Sequence, residues 1–350
     1  MKRLALILLL ALFIPVSAQN SHWEVGLNSG WMSPNGFSML DYAAFGAGVD
    51  VAWLWQTPGN TYWMQWRRQP SFGLKGSFEY VPDGIAGSRI GLVGLLRAPL
   101  WGRLDYNIGI GLSAFNRTRY IIHDQDNIFI SSLLCCLIDI GFVYNIGERL
   151  QLSAAFVHSS NGNLVRPNKG LNFMQLGFAA RLGEGYKGPV TREGIGYVPF
   201  FNRHEVGFTL SPGGSMSRHT FQPGFFFDYD ISLNYCYYIV PLISVGATVD
   251  LWYNGSHDWQ REVYHDPYPV PMYVGMMGTI EGHWGALSIK AGVGPQLFVS
   301  SFVTIPIYER LGAYYNWGSN YVGVAVNAHA AKAEFIEWSY GRRFPIKSNR

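Results

Sequence analysis

The chain has 350 residues, of which 14% are charged and 16% aromatic, and it contains 41 glycines. The net charge is only +3 and there is no concentrated basic run, so the composition gives no case for a nucleic-acid partner. The three cysteines, Cys135, Cys136 and Cys236, are odd in number, and the adjacent two would point to opposite faces of a strand. They are therefore not a disulfide framework, and we expect them to be small apolar residues. Few charges with many aromatic residues and glycines are typical of a membrane β-barrel, which turns apolar side chains toward lipid.

The N-terminus has the pattern of a secretory signal peptide over residues 1–18. A basic start precedes an apolar run over residues 4–16, and small residues lead up to Ala18. We therefore expect Sec-type export with cleavage near Ala18, and the fold is read from the residues that follow.

Alternating apolar and polar residues, bounded by turn signals, predict two sets of eight strands. The first set covers 22–32, 44–55, 72–81, 88–100, 103–115, 129–146, 150–159 and 172–182. The second set covers 203–210, 231–239, 242–253, 272–283, 286–298, 307–317, 321–330 and 334–344. Tight turns alternate with longer connections, as in outer-membrane barrels with short periplasmic turns and long extracellular loops.

The second half of the chain resembles the first, which indicates an internal duplication. "YNIG" at 144–147 ends eleven residues before His158, and "YNWG" at 315–318 ends eleven residues before His329. Matching motifs in the same order are the sign of a repeated structural unit.

We divide the chain into a signal peptide (1–18), a first barrel half (19–184), a joint (185–202) and a second, diverged barrel half (203–350). The fold class is all-β, an antiparallel transmembrane barrel of about 16 strands. The strands can close as one large barrel or as two tandem eight-stranded barrels. We favour one large barrel, because the joint is short and the inward face of the second half is polar.

Alternation also predicts which way the polar residues near the middle of the chain point. The apolar face of the strand over 150–159 ends in His158 and Ser160, and the apolar face of the strand over 172–182 begins with Asn172. Since side chains two apart on a strand share a face, all three should lie on the lipid side at the outer rim. An ester substrate embedded in the leaflet would explain them. The alternative is that they merely lie among lipid headgroups.

The stretch "HSSNGNLVRPNKGLN" at 158–172 resembles the signature of the PagL-type lipid A deacylases. That family consists of eight-stranded outer-membrane barrels that remove the ester-linked acyl chain at the 3-position of lipid A. The longer architecture, with "AHAAKAEFIEWSYGRRF" at 328–344, looks like the acyloxyacyl-hydrolase-like relatives of Bacteroidetes.

The resemblance implies a role for each matching residue. Ser160 corresponds to the nucleophile and His158 to the general base, and Asn161 with Gly162 would supply contacts to the oxyanion. The family's glutamate falls here on Asn172, which can orient an imidazole but cannot stabilise its charge.

Three arginines, Arg117, Arg119 and Arg166, lie in predicted extracellular loops. They suit the phosphates of lipid A, since arginine matches phosphate geometry, and the alternative is that they are solvated loop residues. His329 has no serine after it, and we interpret it with Glu337, Arg343 and Asp250 as a polar cluster inside the barrel. The alternative there is a second ligand site.

The sequence therefore predicts an outer-membrane serine esterase acting on lipid A, with lipopolysaccharide as substrate and membrane lipids around it. No zinc spacing, phosphate-binding loop or dinucleotide motif is found, so we expect no metal and no cofactor. Two alternatives stay open: a non-catalytic barrel, either channel or structural, and a secreted soluble β protein. The oligomeric state is also open.

Overall fold

The structure, a computed structural model, describes residues 21–34, 43–82, 85–119, 127, 129–165, 167–188, 202–216, 224–256, 272–297, 306–329 and 332–346. The expected signal peptide, Arg166 and most of the expected joint lie outside these ranges. No helix in them is long and apolar enough to cross a membrane.

The first half of the chain closes into an eight-stranded antiparallel barrel. Each strand pairs with the next, and the last strand returns to pair with the first, so that Leu182 lies opposite Trp23. One short helix, α1 (Tyr62–Trp66), follows the second strand. The strands are β1 (Ser21–Pro34), β2 (Ala44–Gln56), β3 (Ser71–Tyr80), β4 (Arg89–Trp101), β5 (Leu104–Phe115), β6 (Leu134–Ile146), β7 (Leu150–Ser160) and β8 (Leu171–Gly183).

The second half closes into a barrel of its own, so our preference for one large barrel is wrong and the tandem alternative is right. Strand β16 pairs with β9, which leaves no free edge to join the two sheets. The strands are β9 (His204–Met216), β10 (Phe225–Val240), β11 (Ile243–Asn254), β12 (Met272–Trp284), β13 (Leu287–Pro295), β14 (Ile307–Trp317), β15 (Asn320–His329) and β16 (Lys332–Pro345).

Ion pairs fill the interior of the first barrel, which explains why a polar inward face does not require a wide lumen. Arg89 binds Glu79 with two nitrogens at 2.6 and 2.9 Å, and both side chains are buried. Lys75 lies 2.9 Å from Asp139. An eight-stranded barrel has just enough interior for side chains to fill it.

The second barrel is filled in the same way, around Arg310. Its guanidinium lies 2.6 Å from Asp230, 2.9 Å from Asp250 and 3.2 Å from Glu337. The polar cluster expected from the sequence is divided here: Arg343 instead pairs with Glu281 at 2.6 Å.

His329 is the last residue of β15 and belongs to a separate polar group. Its Nδ1 lies 2.5 Å from Glu334 Oε2, and its Nε2 lies 2.7 Å from Gln296 Nε2. Neither Glu337 nor Arg343 contacts it among the described contacts, because each has a nearer partner of opposite charge inside the barrel.

The two barrels contact each other at both ends of their strands. At one end, Arg67, just after α1, donates to the carbonyl of Leu242 at 3.0 Å and stacks over Trp284. At the other end, the connection between β7 and β8 contacts the end of β9 and the beginning of β16. This second contact adjoins the residues that the sequence singles out.

Candidate active site

The site lies on the outer wall of the first barrel, at the rim where β7 ends and β8 begins. The outward side chains of β7 from Leu150 to Phe156 are exposed, whereas Gln151, Val157 and Ser159 point inward and are buried. His158 and Ser160 continue the outward row, and Asn172 begins the outward row of β8. At the rim this row is covered in part, so that His158 and Asn172 are half-buried and Ser160 is only 8% exposed. The lipid-side orientation predicted from alternation for all three side chains is therefore what the structure has.

A hydrogen bond across the two strands orients the histidine. His158 and Asn172 are directly paired in register, and His158 Nδ1 lies 2.7 Å from Asn172 Oδ1. An amide oxygen only accepts, so this bond requires Nδ1 to carry the hydrogen. Nε2 is then left with its lone pair, and no described residue hydrogen-bonds to it. A neutral imidazole held in this tautomer is suited to accept a proton.

The serine hydroxyl receives two hydrogen bonds from the loop that follows it. The backbone N–H of Gly162 donates to Ser160 Oγ at 3.1 Å, and Asn168 Nδ2 donates to it at 3.5 Å. Within the described part of the chain, no hydrogen bond joins Ser160 to His158, although the two are neighbours on one strand face. Catalytic hydrogen bonds are commonly long without substrate and tighten when it binds.

The side chain of Asn161 shapes the loop rather than facing the serine. Its Nδ2 donates to Ser132 Oγ at 3.0 Å and to the carbonyl of Val165 at 2.8 Å, and its Oδ1 accepts from the N–H of Asn163. Of the two residues expected to contact the oxyanion, Gly162 is therefore the one whose N–H donates to Ser160.

Gly170 closes the loop against both site side chains. Its φ is +72°, and a Cβ placed there would lie 2.9 Å from His158 Cε1 and 3.2 Å from Ser160 Cβ. Only glycine takes this backbone conformation without strain and leaves this space free. Gly170 thus keeps the imidazole and the serine on either side of one small gap.

An apolar surface continues from the site along the barrel wall. Phe156 and Met174 are paired across the strands one step from His158 and Asn172, and they are 43% and 56% exposed. The site is thus polar at the rim and apolar on the membrane side.

Two family models match the chain, one in each barrel. The model described as lipid A 3-O-deacylase (PagL) matches residues 41–181. The PagL C-terminal model, described as the C-terminal domain of acyloxyacyl hydrolase, matches residues 204–347. The chain belongs to the PagL family. Family and barrel fold together indicate a protein of the bacterial outer membrane.

Three solved structures are similar to this chain at low sequence identity. The outer-membrane enzyme PagL is 19% identical over 45% of this chain and 97% of its own, with a TM-score of 0.33. A mutant porin of Rh. blastica is 12% identical, covering 93% and 100%, with a TM-score of 0.20. OccK11 (OpdR) of Pseudomonas aeruginosa is 10% identical, covering 94% and 97%, with a TM-score of 0.26. A comparison with curated proteins finds no match.

Two of the three arginines predicted to meet phosphate lie among the described residues. Arg117 is exposed just beyond β5, and the N–H of Arg119 donates to the carbonyl of Ile130 at 3.0 Å. The segment at Ile130 in turn contacts the site loop, since Ser131 Oγ donates to the carbonyl of Pro167. Arg119 is therefore on the segment next to the site, whereas Arg166 lies outside the described residues.

Three loop residues of the candidate site were given no role from the sequence: Asn163, Asn168 and Gly170. The turn signal "PNKG" at 167–170 marks a loop, but strand alternation does not reach into it. Two signals pointed to this loop: its density of asparagine and glycine, which tolerate positive φ, and the match of Pro167, Asn168 and Gly170 to the family signature.

Proposed function

We propose that this chain is an outer-membrane serine esterase that removes an ester-linked acyl chain from lipid A. The observation that carries the proposal is the arrangement at the rim: a serine and an oriented histidine on the lipid-facing wall, one step above an exposed apolar pair. A substrate with its ester at the headgroup boundary and its acyl chain in the membrane matches that arrangement. The family description supports the choice of lipid A.

In the proposed first step, Ser160 Oγ turns toward His158 and attacks the acyl carbonyl while Nε2 takes its proton. The carbonyl oxygen becomes an oxyanion, which needs preorganised donors. In the free protein, the Gly162 N–H and Asn168 Nδ2 donate to the serine hydroxyl. The rotation of Ser160 toward His158 releases both donors, and they are then the nearest ones to the oxyanion.

In the following steps, the intermediate collapses and His158 gives its proton to the departing sugar oxygen. This leaves an acyl group on Ser160 and a free hydroxyl on lipid A. Water, deprotonated by His158, then attacks the acyl-enzyme and releases a fatty acid. The acyl chain would lie along Phe156 and Met174 during these steps.

Asn172 takes the orienting role in this mechanism without supplying charge. Its oxygen fixes the tautomer of His158, but a neutral amide does not stabilise the imidazolium that forms. We therefore expect turnover that is slower than a carboxylate at the same position would give.

The test is mass spectrometry of lipid A incubated with the purified protein, with Ser160→Ala and with Ser159→Ala. Ser159 is the matched control, because it is the neighbouring serine and points into the barrel. The proposal expects loss of one acyl chain with the wild type and Ser159→Ala only. Loss with Ser160→Ala as well would move the nucleophile elsewhere.

A non-catalytic barrel is the second candidate. It is favoured by the neutral Asn172 and by the lack of a described hydrogen bond between Ser160 and His158. No acyl loss from a folded wild-type barrel, across several lipid A acylation patterns, would support this candidate.

A further inference from the structure

The turn that follows Ser160 is bound by the second barrel as well as by the first. Asn163 Nδ2 donates to the carbonyl of Glu334 in β16 at 2.9 Å, and the N–H of Met216 at the end of β9 donates to the carbonyl of Asn163 at 3.0 Å. Asn163 is buried and has a φ of +72°. Two strands of the second barrel therefore hold one residue of the first in a left-handed backbone conformation.

A side chain of the second barrel also packs on the turn. Ile336 is on the outward face of β16 with Trp338, which is 56% exposed, yet Ile336 is only 5% exposed. A Cβ placed on Gly162 would overlap the end of the Ile336 side chain. Alternation along β16 puts Ile336 on the lipid-facing side with Trp338, and it is buried because the first barrel covers it.

The two turn residues that the second barrel contacts, Gly162 and Asn163, adjoin the reacting serine. Gly162, which contacts Ile336, is the residue whose N–H donates to Ser160 Oγ, and Asn163 is next to it in the chain. The first barrel holds the other side of the same turn through Asn161 and Ser132. The donor is thus fixed between two barrels.

We propose that the second barrel positions the esterase site, through the packing of its Ile336 on Gly162 and through its two hydrogen bonds to Asn163 of the first barrel. This inference rests on the proposed function. Donors to the developing oxyanion must be held within a fraction of an ångström of their productive position, and shifts of about 1 Å cost on the order of a hundredfold in rate. A turn held on only one side would lose that precision.

The diverged second copy fits this role. Its own histidine, His329, has no serine following it. The carboxylate of Glu334 pairs with His329, and the backbone carbonyl of Glu334 accepts the hydrogen bond from Asn163 Nδ2. The position that corresponds to the site in the first barrel thus serves, in the second, to hold the turn of the first.

Three variants test the inference in the full-length protein. Asn163→Gly removes the side-chain hydrogen bond but tolerates the positive φ, and Ile336→Ala removes the packing on Gly162. Ile280→Ala is the matched control, because Ile280 is an outward isoleucine of the same barrel that is 55% exposed. Each is assayed on lipid A vesicles for kcat and KM, with folding checked by the heat-dependent shift in gel migration that closed barrels show.

We expect kcat to fall by roughly tenfold in Asn163→Gly and Ile336→Ala, with KM nearly unchanged and Ile280→Ala like the wild type. Ile336→Val should recover most of the rate, since it keeps the branched carbon near Gly162. Labelling of Ser160 by a fluorophosphonate should slow in parallel, because it needs the same donors.

The outcomes separate the two proposals. A folded wild type with neither turnover nor labelling at Ser160 would sink the proposed function itself. An active wild type with equally active folded Asn163→Gly and Ile336→Ala variants would overturn the positioning role alone. A rise in KM without a fall in kcat would also overturn it, because the second barrel would then contact substrate rather than hold the turn.

Discussion

Ser159 and Ser160 are adjacent in the chain but lie on opposite sides of the wall of the first barrel. Ser159 Oγ faces the interior, where it accepts a hydrogen bond from Arg89 at 3.3 Å and lies 3.2 Å from Ser113 Oγ. Ser160 Oγ faces outward, where it meets the amide of Gly162. The strand period of two thus assigns one hydroxyl to the ion-pair network and the other to the membrane side.

Exchanging each serine for alanine should separate catalysis from stability. We expect Ser160→Ala to lower the rate of acyl release at least on the order of a thousandfold, since the nucleophile is lost. Ser159→Ala should keep the rate and cost about 1 kcal/mol of barrel stability, because it removes a buried hydrogen-bond partner of Arg89. Release of fatty acid and denaturation in micelles measure the two effects.

Replacing Asn172 by aspartate should speed the reaction. Asn172→Asp has nearly the same shape, keeps an acceptor toward His158 Nδ1, and adds the charge that stabilises an imidazolium. We expect kcat to rise by roughly tenfold, which corresponds to about 1.4 kcal/mol. Asn172→Leu, which loses the acceptor, should lower kcat instead, and an unchanged rate in this variant would contradict the orienting role. A rate in Asn172→Asp no higher than in the wild type would show that charge at this position does not speed the reaction.

The outward placement of His158, Ser160 and Asn172 was predictable because alternation is a local property of each strand. Barrel closure was not predictable in the same way. Whether β8 pairs with β1 or with β9 changes no side chain's face within a strand, so one barrel and two barrels have the same pattern. A polar inward face did not distinguish them either, because Arg310 and its carboxylates pack into a small lumen.

Contacts made by loops and between barrels were beyond the sequence for a different reason. Ile336 has the pattern of a lipid-facing residue, and only the neighbouring barrel buries it. Asn168 reaches Ser160 from a turn with no periodicity. Such contacts depend on where distant segments meet, which hydrophobic pattern does not encode.

The space beside Gly170 should matter more for activity than for stability. Gly170→Ala imposes a Cβ 2.9 Å from His158 Cε1 at a φ of +72°. Gly147→Ala is the matched control, because Gly147 has a φ of +61° and a Cβ there meets nothing within 4 Å. Both variants should lose about 1 kcal/mol of stability from the backbone conformation.

Only Gly170→Ala should also lose turnover, by about tenfold or more, since displacing the imidazole disturbs its alignment with the serine. The measurement is the turnover rate of each variant divided by its fraction of folded protein. Equal turnover in both would mean that the gap beside His158 and Ser160 has no part in the reaction.

The ion pair between Arg89 and Glu79 should dominate the stability of the first barrel. Both side chains are nearly inaccessible, and two nitrogens of Arg89 bind Glu79. Removing one partner leaves a buried charge unpaired, which costs about 3–5 kcal/mol, so Glu79→Ala should unfold at much lower denaturant concentration than the wild type. Glu184→Ala removes the exposed pair with Lys187 and should change stability by less than about 1 kcal/mol. A similar small change in Glu79→Ala would show that Arg89 finds another carboxylate in the barrel, and activity would then survive the substitution.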